Sequence, residues 1–255
     1  MKQPAFSVPL VLVFALNLCA ADSASSERAL VLTGATVYTA PGTAPIANAV
    51  VVVRGDAIAA VGKVGAVKLP PGARAIDCSG LTVTAGFQNS HVHFIEEKWL
   101  HPKQIPAARL SRQLSGMLTS YGFTTVVDTA SDLATTTAIR ARIESGEVPG
   151  PRIFTAGPPL FPPDGIPFYY RPFAPEMLQH LHQPATPAEA IAAVRENLAG
   201  GADITKLYTG SLMPGFKVKT MAEDIARAAV EETHHHGKLV YAHPQSLSGM
   251  TDRPR

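Results

Sequence analysis

Leu81-Thr-Val-Thr-Ala-Gly-Phe-Gln-Asn-Ser-His-Val-His-Phe94 is the stretch on which the fold turns. Its first four residues are apolar or β-branched and read as a strand. His91 and His93 follow at i and i+2. On an extended segment both imidazoles point to the same side. Two neutral ring nitrogens on one side are a ready pair of ligands for a divalent transition metal. The competing reading is a polar loop.

Upstream of this stretch the chain is punctuated every few residues. Residues 30–37 are apolar and β-branched and end at a turn-rich segment, Thr39-Ala-Pro-Gly-Thr-Ala-Pro45. Residues 49–53, 57–61, 73–77 and 81–84 read as further short strands separated by Gly, Asp and Pro. That spacing predicts part of a small β-sandwich over residues 28–84.

Downstream the period changes. Residues 103–121 read as a helix and 124–128 as a buried strand. Residues 132–145 read as a helix with Asp132 as N-cap and Gly146 past its end, and 152–156 as a strand. Residues 158–187 form a long Pro- and aromatic-rich insertion, which either lines a pocket or packs on the exterior. A helix over 187–199 carries a Thr186 cap, Pro187 at its first position and Glu189 three residues after the cap. Residues 204–208 read as a strand, 220–236 as a helix capped by Thr220 with Glu223, and 239–242 as the last strand. Alternating apolar strands and helices predict a parallel sheet covered by helices.

Composition narrows the function. The 255 residues are 46% hydrophobic and 16% charged, which supports a sizeable core and excludes disorder as the main description. The net charge is +2 with no run of Lys and Arg, so nothing argues for a nucleic-acid partner. Two cysteines exclude a disulfide scaffold. The N-terminus reads as a signal peptide over residues 1–21. Lys2 is the only charge before Asp22, residues 10–16 are continuously apolar, and Cys19-Ala20-Ala21 places small residues at −3 and −1 of a cleavage site. A lipid anchor on Cys19 and an uncleaved N-terminal helix are the alternatives. Export to the periplasm or medium follows from the first reading, with membrane contact only through the leader.

Taken together, the stretch 81–94, Thr33-Gly-Ala-Thr-Val37 and Gly80-Leu-Thr-Val83 resemble the amidohydrolase superfamily. Gln88-Asn-Ser-His-Val-His93 and Ala242-His-Pro-Gln-Ser246 resemble its imidazolonepropionase-like hydrolases. The resemblance implies an α/β fold: a TIM-like barrel over residues 85–255, incomplete at about five of eight units, preceded by part of the sandwich. It implies metal ligands at His91 and His93 on strand one, Lys206 on strand four and His243 on strand five. It also implies one or two divalent ions, zinc foremost, with Lys206 carboxylated by carbon dioxide, and hydrolysis of a C–N bond in a small molecule such as a cyclic amide or dipeptide. The family's strand-six His and its strand-eight Asp, the proton-shuttling carboxylate, have no counterpart before Arg255. The chain therefore reads as a fragment, or as a truncated product that binds metal without turnover. An unrelated α/β protein with a fortuitous His-x-His is the third reading.

The residues themselves leave alternatives open. A protonated Lys206 ending an apolar strand is expensive to bury, so it needs either an ion pair or conversion to a carbamate. His243 is a ligand or a core histidine. Asp128, ending strand two, is a partner of a ligand histidine or a turn and cap residue. His180 and His182 repeat the i, i+2 spacing in a polar segment and read as structural or solvated. His234, His235 and His236 cannot all face one ion, because helical neighbours point 100° apart, and they read as a helix end. His101 has no partner in sequence. Oligomeric state is not legible.

Overall fold

The computed structural model describes residues 29–170, 172, 178 and 180–245; the leader over 1–21 and the segment 246–255 lie outside them. The described chain forms two compact units that divide between Ala85 and Gly86.

The first unit is one sheet. β1 (Leu30–Val37) pairs antiparallel with β2 (Ile46–Arg54), and β3 (Ala57–Lys63) pairs antiparallel with the far side of β2. On its other side β1 runs parallel to β4 (Arg74–Asp77) and then to β5 (Thr82–Val83), so the strand expected over 81–84 is only two residues long. Alternation sorts the valines of β2. Ala49 and Val51 join Ala35, Val37 and Cys78 on one face, while Val50 and Val52 join Val31 on the other. Gly34 sits at φ 85 where the β1–β2 register shifts, and a Cβ there would stand 2.5 Å from Ser79 Oγ. Only glycine fits that bulge. Among the described residues this unit is a single five-stranded sheet.

The second unit alternates strand and helix. β6 (Phe87–Val92), α1 (Ala107–Met117), β7 (Phe123–Asp128), α2 (Leu133–Glu144) and β8 (Arg152–Thr155) come first. β6, β7 and β8 are parallel neighbours in that order. α3 (Pro187–Ala199), β9 (Ile204–Tyr208), the hairpin β10 (Gly210–Met213) and β11 (Lys217–Thr220), α4 (Glu223–His235) and β12 (Leu239–His243) follow. β9 and β12 are parallel neighbours. The chain just past β8 joins the two groups. Asp203 N donates to Thr155 O (2.7 Å), Leu160 N donates to Lys206 O (2.9 Å), and Tyr208 N donates to Leu160 O (2.8 Å). Five parallel strands thus stand in chain order, the arrangement of a barrel opened out.

Helices cover these strands. Leu110 and Leu114 of α1 and Ile139 of α2 bury against Val92, Val126 and Ile153. Ala190, Ala193 and Val194 of α3 and Ile225, Ala229 and Val230 of α4 bury against Leu207. The expected caps of two helices hold: Thr135 N donates to Asp132 Oδ2 (2.8 Å) and Glu189 N to Thr186 Oγ1 (3.2 Å). Among the described residues no helix is long and apolar enough to cross a membrane.

Two sequence expectations need correction. The helix over 103–121 starts only after Pro106, which lies outside helical geometry as its N-cap, and its last turn is a separate 3-10 turn at Thr119–Tyr121. Thr220 does not cap a helix. Its backbone is consumed in the hairpin opposite Gly210, and α4 begins after Ala222 with no side-chain cap. The hairpin itself has no counterpart in the sequence reading.

Candidate metal centre

Close packing of β6 on β7 comes first. A Cβ on Gly86 would stand 2.1 Å from Thr124 Oγ1, so this glycine lets the start of β6 lie against Thr124. The strand then delivers its histidines. His91 N donates to Asn89 Oδ1 (3.0 Å), and the rings of His91 and His93 lie 5.0 Å apart, edge to face. His93 is partly buried, and its Nδ1 is buried without a hydrogen-bond partner.

β9 and β12 supply the other two residues. Their register sets Lys206 opposite Tyr241 and Tyr208 opposite His243. The Tyr208 and His243 rings stack at 4.5 Å, and the Nζ of Lys206 lies 5.5 Å from the centre of the Tyr208 ring. Gln245 Nε2 contacts His243 Nε2. Lys206 is 2% exposed, and among the described residues it forms no salt bridge. The ion-pair reading of Lys206 is therefore the one the structure does not supply.

The electrostatics link the four groups. Burial lowers Lys206 to about 8. Burial, then the positive charges of His91, Lys206 and His243, lower His93 to about 4. Burial, then Lys206 and His91, lower His243 to about 4, and burial with Lys206 lowers His91. Burial disfavours each imidazolium and each protonated neighbour discourages the next, so His93 and His243 are neutral near neutral pH and His91 is shifted the same way. A neutral imidazole is the form that binds a metal. The donor set fits a divalent cation in kind, with unprotonated nitrogens and one buried, unpartnered Nδ1. It is not a closed cage, for among the described residues no three His, Cys, Asp or Glu side chains stand close enough to hold one ion. The fold assembles the pair at the end of β6, His91 on the strand and His93 just past it, and brings Lys206 and His243 within electrostatic reach.

Asp128 is not hydrogen-bonded to a histidine. It is fully buried, accepting from Ser131 Oγ (2.5 Å), Thr136 Oγ1 (2.6 Å), Thr155 Oγ1 (3.1 Å) and Ala130 N (3.4 Å). Burial outweighs these donors and raises its carboxyl to about 6. These contacts are those of a turn residue; the cap of the following helix is Asp132. Ser131 Oγ also accepts from Phe94 N (2.7 Å), so Asp128 ties down the backbone just past His93.

The other histidines stay apart. His182 Nε2 is engaged by Asn197 Oδ1 (3.1 Å), and with His180 it borders a cavity of about 680 Å³ that none of the four site residues lines. His236 Nε2 contacts Glu232 Oε1 (3.0 Å) at the end of α4, and His101 is exposed. Sequence reasoning missed Tyr208, which backs His243 and shares a hydrogen bond with the Tyr170 hydroxyl (3.0 Å). Its position two residues past Lys206, hence on the same side of β9, was the available signal.

No curated protein matches the chain. Solved structures do. A Xaa-Pro dipeptidase with bound methionine in the active site is similar at TM-score 0.70 and 22% identity, covering 88% of this chain and 58% of that one. Molinate hydrolase is similar at TM-score 0.72 and 21% identity, with 88% and 55% covered. A prolidase complexed with N-methylphosphonate-L-proline is similar at TM-score 0.68 and 27% identity, with 88% and 58% covered. The chain thus spans a little over half the length of these proteins. The model of the amidohydrolase family matches residues 82–252, about two thirds of the chain and all the strands that carry the four site residues. The chain belongs to the amidohydrolase family.

Proposed function

We propose that this chain carries the metal-binding half of an exported hydrolase that cleaves a C–N bond in a small molecule, a dipeptide or a cyclic amide. One observation carries the reading: Lys206 is buried at β9 without an acid partner among the described residues, near His93 and His243, which burial and neighbouring positive charge hold at about 4, and His91, which the same causes lower. A divalent ion, zinc foremost, would take its first ligands from the His91 and His93 pair, with Lys206 and His243 the nearest further donors, and when bound it would polarise the scissile carbonyl and bring bound water toward neutral pKa. Lys206 has its own chemistry. With its ammonium lowered to about 8, a fraction of the amine is unprotonated near neutrality. The amine nitrogen attacks carbon dioxide, a new N–C bond forms and one proton leaves to solvent, giving an anionic carbamate with two ligand oxygens. That converts an uncompensated cation into a ligand. Tyr208 holds the His243 ring flat, and Asp128 through Ser131 fixes the end of β6.

The family and its hydrolase relatives support the C–N reading, and the apolar leader supports export. Among the described residues no carboxylate perturbs any of the three histidines, so proton delivery to the leaving nitrogen is assigned to none of them. That same observation favours a second reading, metal binding without turnover. Purified chain grown with zinc, assayed for metal content and for hydrolysis of Xaa-Pro dipeptides and cyclic amides, separates the two. Stoichiometric metal lost in His93→Ala and His243→Ala but kept in His180→Ala is the expected result. Metal content indifferent to His93 sinks both readings, and metal without hydrolysis leaves the second.

A further inference from the structure

The hairpin that the sequence reading lacked stands where the strands carrying Lys206 and His243 end. Thr209 O accepts from Met221 N (3.0 Å), closing the hairpin base directly after Tyr208, and a Cβ on Gly210 would stand 3.1 Å from Gln245 N, two residues past His243. Four-residue arms carry the tip, Pro214-Gly215-Phe216, about 10 Å from that base. The tip is costly twice over. Phe216 is 85% exposed, and it holds φ 57, a left-handed conformation that bulky residues avoid. Neither cost helps folding, for the ring joins no core cluster among the described residues. A strained, exposed aromatic at a functional end of a fold points to a ligand role.

A second loop meets it. Phe168, Pro214, Gly215 and Phe216 line an open depression of about 370 Å³, of the size that takes part of a small ligand, with no charged residue in its lining. Phe168 is itself exposed and begins an aromatic series leading back to the centre. Its ring meets Tyr169 (5.7 Å), Tyr169 meets Tyr170 (5.6 Å), Tyr170 meets Tyr208 (6.2 Å), and Tyr208 stacks on His243 (4.5 Å). A chain of ring contacts, its inner members Tyr170 and Tyr208 buried, thus runs from the depression to His243.

We infer that Phe168 and Phe216 form a binding subsite for an aromatic or branched apolar side group of the substrate, at the tip of a hairpin whose arms reach about 10 Å from the ends of the strands that carry Lys206 and His243. The inference rests on the hydrolase reading for what the ligand is, and its test is separable from that reading. Binding of N-acetyl-L-phenylalaninamide and N-acetylglycinamide to the full chain is measured by equilibrium dialysis in EDTA, where no turnover occurs. Two variants accompany the wild type: Phe168→Ala, and Phe216→Asn, which tolerates positive φ and removes the ring. The phenylalanine probe is expected to bind at least tenfold more tightly than the glycine probe, and each variant to weaken it by about tenfold with an unchanged urea midpoint. Equal binding of the two probes, or variants that bind like wild type, overturns the inference. So does a variant whose only change is a smaller sedimenting species, because the patch is then an interface between copies. Ring-dependent binding without hydrolysis by zinc-loaded chain keeps the subsite and sinks the hydrolase. Hydrolysis with kcat/KM indifferent to both rings does the reverse.

Discussion

Replacing Lys206 with methionine should stabilise this protein. The side chain is 2% exposed and its ammonium is lowered by burial from 10.5 to about 8. At 1.36 kcal/mol per unit, holding the cation inside costs about 3 kcal/mol relative to the unfolded chain. The sign follows from proton counting. Between about 8 and 10.5 the unfolded chain binds more protons than the folded one, so wild-type stability rises with pH through that window, and below 8 the whole penalty is present. Lys206→Met keeps the apolar stem and deletes the charge. It should gain about 3 kcal/mol at pH 7, roughly 6–12 °C in Tm for a chain of this size, and the gain should vanish by about pH 10.5. The assay is urea unfolding of both proteins in EDTA and carbonate-free buffer at pH 7, 8.5 and 10. Adding bicarbonate and zinc to the wild type should narrow the gap at pH 7, since the carbamate removes the cation. A methionine variant less stable than wild type at pH 7, or a gap independent of pH, would refute the reasoning. Lys206 would then have an acid partner in solution.

Two further predictions rest on neighbouring contacts. Asp128→Ala leaves three hydroxyls without their acceptor and should cost about 3 kcal/mol, whereas Asp128→Asn keeps most of those bonds. Because the carboxyl rises from 3.8 to about 6 in the fold, the stability of wild type relative to Asp128→Asn should be highest below pH 4 and fall by about 3 kcal/mol as pH rises through 6; a flat difference in urea midpoints contradicts this. Gly86→Ala should cost about 1–3 kcal/mol by overpacking against Thr124, and Thr124→Gly should recover more than half of that in a double-mutant cycle; strict additivity would show that β6 does not press on Thr124.

What the sequence revealed follows the range of each interaction. The helix over 187–199 was legible to the residue because its signals, Thr186, Pro187 and Glu189, lie within four positions and the cap bonds are local. β9 was legible because a short β-branched and apolar segment, Ile204-Thr-Lys-Leu-Tyr208, follows a helix and is bounded by Ala202-Asp203 and Thr209-Gly210, and it is buried along its whole length. The hairpin was hidden. Its arms are four residues each and two of them are lysines, so alternation is too short to register, and Thr220 before Glu223 offered a local cap that pairing with Gly210 overrode. At the candidate centre, residue types and order were legible for His91, His93, Lys206 and His243. The environment of Asp128 was not, because Thr155, one of the partners of its carboxyl, lies 27 positions away. The absence of an acid beside Lys206 was equally invisible, being a property of strands from three parts of the chain.

Asp203 gives the chemistry of Lys206 a mechanical dependence. Its Oδ2 takes Arg140 Nη1 (2.7 Å) from α2 and Thr155 N (2.9 Å) from β8, three residues before the lysine. A strand has only two sides, so sliding β9 by a single residue would turn Lys206 outward and present Thr205 or Leu207 in its place. Every residue of β9 is buried, so neither side of the strand is marked for solvent and burial alone does little to forbid that slip. The clamp on Asp203 acts as an indexing pin: it decides which of two nearly equivalent seatings the strand adopts, and so whether the fold holds a reactive amine or a plain core.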